Sequence, residues 1–240
     1  MTTISNNLQR VHAQIAKACE QAGRPAGSVA LLAVSKTFGP EAVRDAAEAG
    51  QRSFGENYIQ EAVEKMAIVA EYGLPQPLEW HCIGPIQSNK TRLVAEHFDW
   101  AHTVDRLKIA QRLSDQRPEH LPPLQICIQV NVDGGANKSG VVLEEAAELA
   151  RAAAALPRIV VRGLMSIPEP AADFAAQLAV HQRAQKLFVD IAAQQIAGLE
   201  RFDTLSMGMT DDLDAAVQAG STMVRVGSGI FGKRHYPNAA

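Results

Sequence analysis

The stretch that decides the fold is VALLAVSKTFGPEAVRDAAEAG, residues 29–50. Its apolar run Val29–Val34 reads as a strand, and Glu41–Ala49 carries apolar residues at helical spacing. Gly50 closes that segment where a helix takes its C′ residue. Working outward, the unit repeats. Apolar runs follow at Arg52–Gly55, Glu79–Gly84, Trp100–Val104, Leu124–Val130, Val160–Met165, Thr204–Met207 and Met223–Val226. Helical segments lie between them at Ile59–Tyr72, Asn89–His97, Leu107–Gln116, Leu143–Leu156, Phe174–Ile196 and Asp212–Ala219, and another helix near residues 4–22 precedes the first strand. Gly220 repeats the role of Gly50, and Pro157 stops the helix before it. Strands that alternate with helices rather than with tight hairpins pair in parallel. Eight strands in 240 residues give about 30 residues per unit, the period of a (β/α)8 barrel. A doubly wound open sheet also alternates strand and helix, but no GxGxxG follows the first strand. The reading is an α/β fold, a single-domain (β/α)8 TIM barrel over residues 1–240 with an extra N-terminal helix.

Composition excludes several classes. Lys and Arg number 23 against 26 Asp and Glu, a net charge of −3 with no basic block, so neither nucleic acid nor an anionic membrane is an expected partner. A hydrophobic fraction of 47% with 20% charged residues belongs to a globular chain rather than a disordered one. No apolar run approaches the ~20 residues of a membrane helix. Residues 1–10 are polar and lack the basic start and apolar stretch of a secretory signal. The three cysteines, Cys19, Cys82 and Cys127, form no CxxC pair, so neither a disulfide framework nor a metal site is expected. Cys82 and Cys127 read as small buried hydrophobes. These features predict a cytoplasmic protein.

In such a barrel, function gathers in the loops after the strand ends, and the loops after strands seven and eight often hold a phosphate. Gly227-Ser228-Gly229 offers close backbone approach and a hydroxyl, and Ser206 offers a second hydroxyl from the neighbouring strand end. Glycine and serine also simply make turns, so these loops alone do not decide. Lys36 stands just past the first strand, where a lone lysine is ordinarily a solvated charge. At its usual pKa of ~10.4 a lysine is only about one part in 2,500 neutral at pH 7, so a nucleophilic role needs burial or a nearby cation. Arg225, on the last strand, falls beside the first once the barrel closes and is placed to supply that cation. An amine, a phosphate cradle and an oriented arginine together are what pyridoxal 5′-phosphate (PLP) requires.

The segments Leu32-Ala33-Val34-Ser35-Lys36, Phe54-Gly55-Glu56-Asn57-Tyr58, Trp80-His81, Ile83-Gly84, Gln87-Ser88-Asn89-Lys90, Leu205-Ser206-Met207-Gly208-Met209, Met223-Val224-Arg225-Val226-Gly227 and Ile230-Phe231-Gly232 resemble the pyridoxal phosphate homeostasis protein family. They run from the first strand to the last, so the resemblance covers nearly the whole chain. That family is similar to the barrel domain of bacterial alanine racemases without their second, β-rich domain. Pro85 and Ser166 depart from the residues common at those positions. The resemblance implies that PLP is the cofactor, held by Lys36 as an aldimine, with Arg225 facing the pyridine nitrogen. It also implies that Ser206, Gly227 and Ser228 hold the phosphate, with Asn57 near the ring.

Arg225 limits the chemistry. A guanidinium has donors only, so it leaves the ring nitrogen unprotonated and the ring a poorer electron sink. Racemisation further needs an acid/base on the ring face opposite the lysine, in the racemases a tyrosine from the partner subunit near the missing domain. Tyr58, Tyr72 and Tyr236 are the only tyrosines, and none lies in an equivalent segment. The reading is therefore a non-catalytic PLP carrier, with no catalytic residue assigned. It buffers or delivers the cofactor to apo PLP-dependent enzymes, indirectly affecting amino-acid metabolism, and a monomer is expected. Two alternatives are a weak amino-acid racemase and a phosphosugar-type barrel enzyme in which Lys36 binds substrate without PLP. His81, in the alternating run Trp80-His81-Cys82-Ile83, points into the barrel either near the ring or as a core histidine. Asp211-Asp212 reads as the first turn of a helix. Lys138, Lys233 and Arg234 read either as a basic rim that attracts PLP or a recipient enzyme, or as solvated charge.

Overall fold

The computed structural model describes residues 2–134 and 139–232. Its strands are β1 (Ala30–Val34), β2 (Ser53–Glu56), β3 (Glu79–Cys82), β4 (Trp100–Val104), β5 (Leu124–Gln129), β6 (Ile159–Met165), β7 (Thr204–Ser206) and β8 (Met223–Val226). They pair in parallel in chain order, and β8 returns to β1 to close a barrel. At the seam, Ala30, Leu31, Leu32 and Ala33 stand opposite Met223, Val224, Arg225 and Val226. The (β/α)8 expectation holds, as does the placement of Arg225 beside the first strand.

Helices α2 (Pro40–Glu48), α3 (Ile59–Glu71), α4 (Thr91–His97), α5 (Leu107–Gln116), α6 (Leu143–Ala154), α7 (Phe174–Ala192) and α8 (Leu213–Gln218) cover the outside of the barrel. After β8 only the one-turn α9 (Ser228–Phe231) is available. The outer faces of β1 and β8, with Leu31, Ala33, Val224 and Val226, would be left bare. Helix α1 (Thr3–Gln21) covers them instead, packing against α2, α8 and α9. It buries Leu8, Val11, Ile15, Ala18 and Cys19, which recur at helical spacing. Asn7 Nδ2 donates to the Ile230 carbonyl at 2.8 Å, and Arg24 donates to the carbonyls of Val217 and Ser221 at 2.8 and 2.7 Å. The extra helix is thus the missing member of the outer ring.

Gly50 and Gly220 end their helices as expected. Each has a left-handed φ, +102° and +105°. At each, the glycine's own N–H and the next one reach back to the helix: Gly50 to Ala47 and Gln51 to Ala46, Gly220 to Val217 and Ser221 to Ala216. That is the Schellman pattern, which satisfies the last carbonyls before the chain turns into the next strand. Some boundaries differ from the sequence reading. The α7 helix stops at Ala192 instead of Ile196, because Gln195 takes a left-handed φ of +49°. Helix α4 starts at Thr91 rather than Asn89, since Lys90 folds back in a turn onto Gln87. Strand β3 ends at Cys82, two residues before Gly84, where any Cβ would collide with the Asn57 carbonyl.

The large apolar core lies between the sheet and the helices, and all three cysteines are buried. Burial pushes the thiols of Cys82 and Cys127 up to about 12, as suits inert packing residues. Inside the barrel the apolar side chains form two small clusters, Leu32, Val34, Ile83 and Met223, and Trp100, Cys127 and Met165. Among the described residues no helix is long and apolar enough to cross a membrane. Replacing Ile15 by Ala opens a hole under α1 and is expected to cost ~2–4 kcal/mol in urea unfolding. A loss below ~1 kcal/mol would show that α1 lies outside the cooperative unit.

Candidate functional site

The C-terminal ends of the strands enclose a cavity of about 290 Å³, near the lower end of small-ligand pockets. Lys36 from the end of β1, Asn57 from β2, Ile83 from β3, Ile167 from β6, Met209, Thr210 and Asp211 from β7, and Arg225, Gly227 and Ser228 from β8 line it. Five of the seven residues expected from the sequence therefore meet in one place: Lys36, Asn57, Arg225, Gly227 and Ser228.

Lys36 is held from both sides along the chain. Before it, the Ser35 N–H donates to Gly55 at 3.0 Å, its carbonyl accepts from Lys65 Nζ at 2.9 Å, and its hydroxyl donates to Glu56 Oε1 at 2.7 Å. Lys65 Nζ also pairs with Glu56 Oε1 at 2.7 Å, with both side chains buried. Burial pushes the Glu56 carboxyl above its ordinary value even though Lys65 pulls it the other way. After Lys36, Thr37 sits at φ +67°, a left-handed conformation that is strained for a β-branched residue. The ammonium of Lys65 and the strain at Thr37 thus fix the backbone that carries the Lys36 amine.

Asn57 follows Glu56 directly, and its Oδ1 is buried without a hydrogen-bond partner among the described residues. Arg225 is almost wholly buried, and that desolvation brings its guanidinium down to about 10, still cationic at neutral pH. Its Nη1 donates to Ser206 Oγ and its Nη2 to the Ser166 carbonyl, both at 2.8 Å. Gly227 precedes α9, and a side chain there would press on the Val34 carbonyl at 3.2 Å. The Ser228 and Thr210 hydroxyls stand 3.5 Å apart across the β7 and β8 loops.

Ser206 and His81 are placed elsewhere. Ser206 is buried one layer below the cavity, with its hydroxyl engaged by Arg225 and, at 3.1 Å, by His102 Nδ1. His81 points into the barrel as its alternation suggested, but it is a core residue. It stacks on Trp100 and bonds His102 Nε2 at 2.9 Å and Glu79 Oε1 at 2.8 Å. The sequence reading did not single out His102. The signal was there: His81 pairs with Trp100, so His102, two residues further along β4, shares the inward face. Thr210 and Lys65 were also missed, because loop geometry and a helix face decide them. Asp212 precedes α8, accepts the Met209 N–H at 2.6 Å and pairs with His181 Nε2 at 2.9 Å. Lys138, Lys233 and Arg234 lie outside the described residues.

Residues 6–235 match the family model described as alanine racemase, N-terminal domain. A Pseudomonas aeruginosa protein named Pyridoxal phosphate homeostasis protein is 55% identical over 236 residues, 98% of each chain. The chain belongs to the pyridoxal phosphate homeostasis protein family. A Vibrio cholerae member of the same name is 52% identical over 240 residues and covers each chain fully. Among solved structures, PipY of Synechococcus elongatus with PLP bound superposes with a TM-score of 0.81 at 35% identity, over 95% of this chain and 100% of that one.

Two measurements follow for this member of the family. Lys65→Met leaves the Glu56 charge buried alone and is expected to cost ~3–5 kcal/mol in urea unfolding at pH 7. Adding Glu56→Gln should recover part of that loss. The bond from His81 holds the Glu79 carboxyl down to about 2, from an ordinary 4.5, so its contribution is complete above about pH 4.5 and is lost as pH falls through about 2. Glu79→Gln should therefore flatten the decline of the unfolding midpoint between those values, and an unchanged decline would refute the assignment.

Proposed function

We propose that this chain binds pyridoxal 5′-phosphate in the cavity at the C-terminal ends of the strands and serves its homeostasis as a carrier rather than as an enzyme. The observation that carries the reading is the meeting of an amine, Lys36, a cation, Arg225, and a Gly227/Ser228 cradle on one small cavity. The residues present fit the group. Asn57 Oδ1 is a buried acceptor without a partner among the described residues, and Arg225 has N–H donors beyond the two it spends on Ser206 and Ser166. When bound, PLP supplies an aldehyde that takes up amines and a ring that withdraws electrons. Lys36 would hold the aldehyde end and Arg225 the ring nitrogen. Gly227 and Ser228 would hold the phosphate, with Thr210 beside them, and Asn57 would flank the ring. Ser206 and His81 enter as supports below Arg225.

The carrier role rests on what Arg225 and the tyrosines do. Arg225 cannot give up a proton near neutral pH, so it stabilises no negative charge on the ring through protonation. Tyr58 is exposed and outside the cavity lining, and Tyr72 lies at the end of α3 with the Arg44 guanidinium 5.3 Å from its ring centre. Tyr236 lies outside the described residues. Neither described tyrosine is placed as the second acid/base that racemisation needs. In this reading residues 1–240 act as one unit, a monomer working in the cytoplasm, with apo PLP-dependent enzymes as recipients.

Visible absorbance of the purified protein, followed by borohydride reduction and peptide mapping, tests the site. The expected result is a yellow protein whose pyridoxyl mass maps to Lys36 and is lost in Lys36→Ala. A protein that takes up no PLP, or is modified at another lysine, would overturn the reading. Measurable amino-acid turnover by the loaded protein would replace the carrier with an enzyme.

A further inference from the structure

The interior of an eight-stranded barrel is ordinarily filled by layers of branched apolar side chains. Here a continuous line of polar contacts crosses it. The line starts at Glu79, the first residue of β3, whose side chain is 41% exposed at the N-terminal mouth. Glu79 Oε1 lies 2.8 Å from His81 Nε2, and His81 Nδ1 lies 2.9 Å from His102 Nε2. His102 Nδ1 lies 3.1 Å from Ser206 Oγ, which accepts from Arg225 Nη1 at 2.8 Å. Arg225 then lines the cavity at the opposite mouth. His81, His102, Ser206 and Arg225 are all buried.

The two ends set the bond at each mouth, and one assignment carries a single direction through the line between them. A guanidinium only donates, so Ser206 Oγ accepts from Arg225 and keeps its own hydrogen to give, in this assignment to His102 Nδ1. His102 then carries its proton on Nε2 and donates to His81 Nδ1. His81 in turn carries its proton on Nε2 and donates to Glu79, which as a carboxylate only accepts. In that assignment both imidazoles are neutral Nε2–H tautomers, and each bond depends on the next. Desolvation holds His102 well below its ordinary value, in agreement with a neutral ring.

We infer that Glu79, His81, His102 and Ser206 form a one-way relay that positions the Arg225 guanidinium from the far mouth of the barrel. They are positioning residues: none lines the cavity, and they act through Arg225. The bonds to Ser206 and the Ser166 carbonyl hold two corners of the guanidinium fork, which leaves its other donors for the cavity. A change at the Glu79 mouth is therefore transmitted to the ring end of the bound molecule. This last consequence rests on the proposed PLP site, whereas the relay itself does not.

The test has an arm for each part. Long-range 1H–15N correlation on 15N-histidine-labelled protein without added PLP, assigned with His81→Gln and His102→Gln, is expected to show both rings as neutral Nε2–H tautomers near pH 7. An Nδ1–H tautomer or a doubly protonated ring would overturn the relay. The Arg225 Nη–H resonances, assigned with Arg225→Lys, are expected as separate slowly rotating signals in the native protein. They should coalesce in Ser206→Ala and in His102→Leu. His102→Gln, whose amide can accept from Ser206 and donate to His81, should keep them apart. With PLP added, Ser206→Ala and His102→Leu should move the absorbance band and weaken retention roughly tenfold, as loss of an outer hydrogen-bonding partner does elsewhere. Glu79→Leu should do the same from the opposite mouth. Ser206→Ala guards against a fold failure in His102→Leu, because it removes one hydroxyl and no volume that packing needs. A native band and native retention in Ser206→Ala and Glu79→Leu would overturn the positioning role. If the native protein takes up no PLP, the cavity reading fails while the tautomer and arginine signals still decide the relay.

Discussion

The seam where β8 hydrogen-bonds to β1 is the constraint on which the rest of the molecule depends. It sets Leu32 opposite Arg225, so Lys36 and the arginine enter one cavity although the sequence separates them by almost the whole chain. The seam also creates the problem that α1 solves. With only one helical turn after β8, the apolar outer face of the two joined strands needs cover, and the helix before β1 supplies it. The neighbouring pairing of β7 with β8 brings their loops together, so that Thr210 and Ser228 stand at hydrogen-bond range beside Gly227.

The buried charges around the cavity are each held by partners that restrict their orientation. Lys65 and Glu56 neutralise each other directly beneath Lys36 and Asn57, and they lock Ser35 as they do so. Arg225 is held by Ser206 and Ser166. These arrangements cost desolvation that an apolar core would avoid, so stability alone does not account for them. They fix the strand ends that carry the amine and the cation, which is what a site with reacting groups on adjacent strands requires.

Chemistry narrows the role as much as geometry does. In the proposed site an arginine at the cofactor ring would bind without helping to store negative charge, which suits holding and release better than carbanion reactions. Membership in the homeostasis family and the cavity point the same way, and the tyrosines that would argue for racemisation are outside the cavity lining or outside the described residues.

The sequence by itself determined the barrel, because eight apolar runs alternating with helical segments at a regular period have few other ways to bury themselves. Lys36, Asn57, Arg225, Gly227 and Ser228 were legible for the same reason: each stands within a residue or two of a strand's C-terminal end, and that rim is where a barrel gathers function. Tertiary structure alone decided which polar residues face the cavity and which support it. Ser206 looked like a phosphate ligand from its position after a strand, yet its depth on β7 gives its hydroxyl to Arg225 and His102. His102 and Lys65 went unmarked, because inward parity depends on register between strands and a lysine on a helix reads as solvated until the strand end beneath it is seen. Register and depth are set by pairing across the sheet, which sequence periodicity does not encode.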